Sequence, residues 1–265
     1  AMLKYFKFFD YYLEIFAKNL SGRCLTFPDK NGEFAILESI VKNSNKSICF
    51  MDGGSNFGEY VVKFDIFCKK YNIKNYSIYA IEPFSENIRN LRQKTKDISY
   101  ELIDKALGKK VNISKFYTCN NQCASGQNST IKHYYLNKSI NIKQTTIDAI
   151  VKTYALKKIN FLKLDIEGSE YNALLGAKNT LSKGLIDYIQ LEYNQTWIEG
   201  GGTIKKILDL ANLYSYKLFR IRKKDLLSIP KYYFGLDDFV FCNLLLVKDG
   251  CTLPLPLKRP VTPII

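Results

Sequence analysis

Residues 161–177 read FLKLDIEGSEYNALLGA. The apolar run Phe161, Leu162, Leu164 and Ile166 has the length of one buried strand. Lys163 and Asp165 stand two apart on it, so their side chains leave the same face. Asp165 falls at the carboxyl end, the edge where open α/β sheets bind ligands. Glu167, Gly168 and Glu170 follow and open a helix over 168–182, with acidic residues in its first turn, where the helix dipole favours them. Four ionisable side chains, Lys163, Asp165, Glu167 and Glu170, thus crowd into eight residues at a sheet edge. A strand-to-helix turn needs no such set, and buried charges gather where chemistry is done. The plain alternative is that Glu167 and Glu170 cap the helix while Lys163 pairs with one of them.

Working outward, the strand over 159–165 belongs to a series. Ser47–Met51, Tyr76–Ile81, Ser99–Ala106, Val111–Thr118 and Ile186–Tyr193 read as further strands. Helices over 33–43, 59–71, 85–96, 147–156 and 203–213 punctuate them, with Asn31 and Thr146 as candidate caps. The alternation predicts an α/β fold: a mostly parallel sheet with helices on both faces. Tyr216–Ile221 and Phe239–Val247 have no helix between them and predict an antiparallel edge. Residues 119–130, CNNQCASGQNST, predict a mobile loop.

The chain divides into an N-terminal helical extension over 1–45, one α/β domain over 46–250 and a proline-rich extended tail over 251–265. Residues 2–20 have helical periodicity, with a narrow polar stripe of Lys4, Lys7, Tyr11, Glu14 and Lys18. So wide an apolar face needs cover: the body of the protein, a second subunit of a homodimer, or a membrane surface. The segment is too charged and interrupted to span a bilayer, and it shows no small-residue cleavage site of a signal peptide.

The first strand runs into DGGSNFG at 52–58. Glycines there bring backbone amides close to a ligand. Ser55 occupies the middle place of G-x-G-x-x-G, and no phosphate-loop Lys-Ser/Thr follows, so a pyrophosphate is not the natural guest. A carboxylate at Asp52 repels phosphate and attracts a cation, a preference that the amino group or sulfonium of S-adenosylmethionine meets. Glu82 ends the next strand, stopped by Pro83, and is placed to accept both ribose hydroxyls. Asp104 ends the following strand region and is a candidate partner for an adenine amino group.

Together FMDGGSNFGEY, YAIEPFSENIRNL, ELIDKALGKK, QTTIDAI, INFLKLDIEGSEYNALLGA and IQLEYN resemble, in this order, the FkbM family of S-adenosylmethionine-dependent methyltransferases. The likeness covers about residues 46–195, and K-x-D-x-E-G-x-E is its most specific part. The family's Asp-Ile-Gly-Ala-Asn-x-Gly turn stands here as DGGSNFG, a mild departure. The resemblance implies a Rossmann-like seven-strand methyltransferase fold and methyl transfer to an oxygen. The cofactor-binding set is then Gly53, Gly54, Asn56 and Gly58 with Asp52, Glu82 with Pro83, Asp104 with Lys105 and Ala106, and Asp165. The acceptor is not implied.

Transfer from a sulfonium needs alignment and proton removal. Asp165 is the candidate general base, with Lys163 holding it ionised. Alternatively Asp165 and Glu192, at the adjacent strand end, hold Mg²⁺, which would lower the hydroxyl's pKa. The residues leave base and metal open. Glu167, Glu170, Tyr193 and Asn194 are candidate acceptor contacts. Trp197 can stack on a sugar ring or pack in the core. His133, the only histidine, is an available base or a surface side chain.

The net charge is +14, from 39 Lys+Arg against 25 Asp+Glu, which favours anionic partners. The leading expectation is a small-molecule acceptor: a sugar, a sugar phosphate or a surface-glycan precursor. A nucleic-acid 2′-O-methyltransferase ranks below it, because the aromatics fall in core-like positions rather than on exposed platforms. A cofactor-binding scaffold without catalysis, docked through residues 2–20, is the reading of another class. The intact charge cluster at 163–170 argues against it. Seven cysteines without a CxxC predict a reducing, cytoplasmic compartment, with peripheral contact at the inner membrane face as an alternative. Cys119 and Cys123 could pair, but one histidine makes a zinc site there a poor expectation.

Overall fold

The computed structural model describes residues 27–44, 47–119 and 127–258. The expected helix over 2–20 and most of the expected loop over 119–130 lie outside the described residues. In chain order the strands are β1 (Ser47–Gly53), β2 (Asn75–Ile81), β3 (Glu101–Ile103), β4 (Ala106–Leu107), β5 (Asn112–Thr118) and β6 (Lys138–Thr145). They continue with β7 (Ile159–Leu164), β8 (Ile186–Tyr193), β9 (Tyr216–Ile221), β10 (Leu226–Ser228), β11 (Cys242–Lys248) and β12 (Leu257–Lys258). The helices are α1 (Pro28–Asn31), α2 (Glu33–Lys42), α3 (Glu59–Lys70), α4 (Ser85–Lys94) and α5 (Ile147–Thr153). After them come α6 (Glu170–Leu175), α7 (Lys178–Ser182), α8 (Trp197–Gly200) and α9 (Ile204–Leu213).

The main sheet has the order β12-β10-β9-β11-β8-β7-β1-β2-β3. β3, β2, β1, β7 and β8 run parallel, and β11 lies antiparallel between β8 and β9. From β1 the chain winds outward to β2 and β3, then returns to β7 on β1's other side. That reversal opens a crevice at the carboxyl ends of β1 and β7, where ligands of open α/β sheets bind. Register sets Asp52 level with Ala80 on one side and Lys163 on the other, and Lys163 level with Gln190.

Alternation along the strands divides the core in two. Phe50, Phe161 and Leu245 pack with Leu37 of α2 and Tyr60 and Phe64 of α3. Met51, Leu162, Leu164 and Ile189 pack with Ala173 of α6 and Ile207 of α9. Phe50 stacks on Phe64 at 4.9 Å and on Phe161 at 5.5 Å. Burying each such ring is worth about 1.5–3 kcal/mol. By the same period of two, Lys163 shares Phe161's side, where a core residue would be expected. It is 4 % exposed.

Gly54 closes the turn after β1 with φ +81°, and a Cβ there would lie 1.9 Å from the Asp165 carbonyl oxygen. The loops after β1 and β7 therefore touch backbone to backbone. Gly54→Ala is expected to cost about 2–4 kcal/mol of stability, read by urea unfolding, through contact and strain together.

Several expected elements differ. The helix over 168–182 is two helices, because Gly176 packs against the Gly108 carbonyl and the chain turns there. The strand over 99–106 splits between β3 in the main sheet and β4 in a second, three-stranded sheet of order β4-β6-β5. β6 was not expected: its first four residues are exposed, which weakens the alternation that marks a strand. The antiparallel edge is several strands rather than one, since β10 pairs with β9, and Leu257 of the tail pairs with Leu226. Thr146 caps α5 through the Ala149 amide at 3.0 Å, as expected. Gly32 takes the cap position of α2, although the Asn31 side chain still accepts the Glu33 amide at 3.0 Å. Cys49, Cys68 and Cys251 carry free thiols, whereas Cys119 is disulfide-bonded, unlike a wholly reduced set. None of the described helices is long and apolar enough to cross a membrane.

Candidate active site

Two clefts meet at the carboxyl edge of the sheet. The smaller, about 50 Å³, is lined by Glu82, Pro83, Asn87, Lys105 and Ala106. The larger, about 1180 Å³, is lined by Asp52, Lys163, Glu167, Glu192 and Asn194. Gly54, Asn56 and Asp165 line both. The tips of β1, β2 and β7 thus bring Asp52, Glu82 and Asp165 to one continuous crevice.

Glu82 is buried, and its oxygens accept the Asn56 and Phe84 amides, each at 2.9 Å, and the Asn87 amide nitrogen at 3.3 Å. Burial nevertheless pushes its carboxyl up to about 7. Burial likewise raises Asp52 to about 6, against the pull of the Lys163 ammonium. Asp52 Oδ1, Asn56 Oδ1 and Asn87 Oδ1 are buried acceptors with no donor. Buried acceptors are ordinarily satisfied, so three orphans around one crevice call for a ligand rich in donors. An ammonium, ribose hydroxyls and an adenine amino group answer that requirement, so the residues fit S-adenosylmethionine; a pyrophosphate offers acceptors only.

The two pKa values set a pH dependence. Ionised Asp52 and Glu82 are the forms that attract an ammonium and accept hydroxyl hydrogens. Cofactor affinity is expected to rise as pH increases through 6 to 7, and to fall about tenfold or more by pH 5. Calorimetry with S-adenosylhomocysteine across that range reads the slope.

Three cofactor expectations are corrected. A Cβ on Gly53 would press on Leu164 and Leu107 at 2.7 and 2.8 Å, and one on Gly58, at φ +80°, on Leu91 at 2.4 Å. Both glycines serve packing and line neither cleft. Asp104 is exposed between β3 and β4, and it too lines neither cleft.

In the larger cleft Lys163 Nζ pairs with Asp165 Oδ2 at 2.8 Å and lies 4.6 Å from the centre of the Tyr60 ring. The Asp165 side chain is 35 % exposed. Burial would raise its pKa, but the Lys163 ammonium and a hydrogen bond with Glu192 hold it below the ordinary value. Burial, with Asp165's charge and hydrogen bond, drives Glu192 well above the ordinary carboxylate value. Asn194 donates to Glu192 Oε1 at 2.9 Å. Glu167 adopts φ +51°, strained for a residue with a Cβ, and its carbonyl is clamped by Ser129 Oγ at 2.7 Å and His133 Nε2 at 3.0 Å. Burial first, then the Asp165 charge, raise its carboxyl to about 8.

Other expectations for this cleft are overturned. Glu170 is 0 % exposed and accepts the Ile166 and Gly168 amides at 2.8 and 3.0 Å. It ties the turn after β7 and lines no acceptor surface. Tyr193 is buried between Trp197 and Phe239, with ring centroids at 5.0 and 5.7 Å, and its hydroxyl accepts the Phe239 amide. Trp197 is core, its indole donating to the Glu192 carbonyl at 2.8 Å. These two rings support the strand end from behind. His133 is neither a surface side chain nor a base in the cleft: it is 3 % exposed and holds the Glu167 backbone. Among the described residues no three His, Cys, Asp or Glu side chains are placed to hold a metal. The charge beside Asp165 is already the Lys163 ammonium, and a hydrogen bond joins Asp165 to Glu192. That donor set does not fit Mg²⁺.

Some lining residues carried no sequence signal. Glu33 of α2 is buried, with Oε2 accepting Gln190 Nε2 at 2.6 Å and the Tyr60 hydroxyl, and Oε1 accepting Asn31 Nδ2 at 2.5 Å. Tyr134, Tyr135, Phe239 and Phe241 also line the cleft. None belongs to a recognisable motif, and Glu33 is 157 positions from Gln190.

A sheet reversing beside a glycine turn, with acidic strand ends and unsatisfied acceptors, defines a methyltransferase-like α/β protein. The family described as Methyltransferase FkbM domain matches residues 52–218. The chain belongs to that family. Among solved structures, methyltransferase FkbM from Methylobacillus flagellatus KT is 18% identical, with a TM-score of 0.46 over 76% of this chain and 44% of that one. This chain therefore spans less than half of that protein. A SAM-dependent methyltransferase from Agrobacterium tumefaciens is 6% identical, with a TM-score of 0.46, over 84% of this chain and 63% of that one. Precorrin-6y C5,15-methyltransferase from Geobacter metallireducens GS-15 is 10% identical, with a TM-score of 0.41, over 83% and 90% of the two chains. Among curated proteins none matches.

Proposed function

We propose that this protein is an S-adenosylmethionine-dependent O-methyltransferase whose acceptor is a hydroxyl of a carbohydrate. The observation that carries the reading is the position of Asp165. It lines both the smaller crevice, whose acceptors suit the cofactor's donors, and the larger cleft, and it is ion-paired yet open to solvent. Bound there, S-adenosylmethionine would supply a methyl carbon activated by its sulfonium, with a neutral thioether as leaving group.

The protein's own residues do the rest. Asp52 and Glu82 fix the ligand's donors along the tips of β1 and β2. Asp165 accepts the hydrogen bond of the acceptor hydroxyl, orients its oxygen for in-line attack, and takes its proton as the new C–O bond forms. Lys163 keeps Asp165 ionised beforehand, and Glu192 shares a hydrogen bond with it. Holding two reactants in attack geometry supplies on the order of 7–11 kcal/mol, and a placed base adds about 10²–10⁴-fold. The larger cleft is roomy enough for a saccharide and has aromatic side chains at its walls, a combination that suits a sugar ring.

The test is methyl transfer from S-adenosylmethionine to a panel of sugars and sugar phosphates, read as the mass increment of one methyl on oxygen. An increment on oxygen supports the reading. Tight cofactor binding with no transfer to any member would favour a non-catalytic scaffold.

A further inference from the structure

The chain is strongly cationic, but its larger cleft is not. Six carboxyl groups line it, from Glu33, Asp52, Glu59, Asp165, Glu167 and Glu192, against the ammonium groups of Lys94 and Lys163. Lys94 is exposed at the margin, and among the described lining residues there is no arginine. Lys163 is spent on Asp165 at 2.8 Å. Asp52, whose orphaned Oδ1 is buried, faces the ammonium of the cofactor under the reading above. Glu33 is buried within the field of Lys163, and Glu167 and Glu192 are then left without a cation of their own. Their partners are neutral amides and hydroxyls, apart from the carboxyl of Asp165 on Glu192.

A second observation points the same way. Tyr134 and Tyr135 line the cleft beside these carboxyls, with Tyr134 90 % exposed, and Phe239 and Phe241 stand in the lining as well. Aromatic faces combined with carboxylates recognise ammonium groups, since both attract positive charge and neither can hold a phosphate. A phosphorylated or carboxylated acceptor would meet like charge from these carboxyls.

We propose that the acceptor is a sugar bearing a protonated amine, its ring against Tyr134 and Tyr135 and its ammonium beside Glu167 and Glu192. This rests on the O-methyltransferase reading and deepens it by naming the substrate class.

The test uses the full chain saturated with S-adenosylhomocysteine. Glucosamine, N-acetylglucosamine, glucose and glucose 6-phosphate are titrated by calorimetry, and the same four are offered with S-adenosylmethionine for methyl transfer. The amine is expected to bind at least about tenfold tighter than its acetylated twin, with the margin shrinking at high salt. Glu167→Gln should erase most of that margin, with S-adenosylhomocysteine binding as the check that the variant folds. Equal binding of the twins, tighter binding of the phosphate, or no binding of the amine overturns the proposal. Methyl transfer to an oxygen of the neutral or phosphorylated sugar, at a rate equal to the amine's, overturns it while leaving the O-methyltransferase reading intact. Failure of S-adenosylhomocysteine to bind, or methyl found on nitrogen, overturns that reading itself, and the ammonium seat with it.

Discussion

Replacing Asp165 with asparagine is expected to lower turnover by about 10²–10⁴-fold while leaving cofactor affinity within about threefold. The substitution keeps shape and one acceptor oxygen, so the hydroxyl can still be oriented. Among the described residues, it removes the one group at the junction of the two clefts that is both held ionised and open to the acceptor side. Lys163 stays neutralised by Asp52 and Glu33, whose charges also act on it, so the fold should persist. Calorimetry with S-adenosylhomocysteine and a single-turnover methyl assay separate the two quantities. Full turnover in Asp165→Asn would remove Asp165 from the mechanism.

The second large effect is on stability. Lys163→Met is expected to cost about 3–5 kcal/mol at pH 8, because it leaves Asp52 and Glu33 buried, and Asp165 beside them, with no cation. The sign of the pH dependence follows from linkage. A carboxyl whose folded-state pKa lies above its unfolded value takes up a proton on folding. Its contribution is complete below the unfolded value and is lost as pH rises through the folded one. Asp52 already lies at about 6, and removing the lysine raises it further. The defect should therefore be small near pH 5, where these groups are protonated in the variant, and full at pH 8. Urea unfolding at the two pH values measures it. A defect independent of pH would mean that Lys163 acts through packing alone.

The extent to which the site was legible in sequence divides along physical lines. Strand ends are marked by apolar runs that stop at a charge, so Asp52, Glu82 and Asp165 could be placed at one edge before any coordinates. Ile186–Tyr193 and Tyr216–Ile221 fall where the apolar pattern put them. Side chains beside that edge were harder to separate. Glu167 and Glu170 are three residues apart and equally acidic, yet one lines the cleft and the other turns under to bind two backbone amides. Only the left-handed φ at Glu167 and at Gly168 makes that division, and spacing does not show it. Trp197 and Tyr193 illustrate the opposite limit: large aromatics next to polar groups can face a ligand or brace the strand, and packing decided for the core. Glu33 could not be found at all, because its partners Tyr60 and Gln190 join it only through the tertiary fold.

The central claim is that one ligand lies across the tips of β1 and β2 with its sulfur turned toward β7. A crystal structure of the protein with S-adenosylhomocysteine tests it most directly. The account predicts ribose hydroxyls on Glu82, the amino group at Asp52 and the thioether sulfur facing Asp165. A ligand bound away from this crevice, or one in it whose sulfur points away from Asp165, would contradict the account.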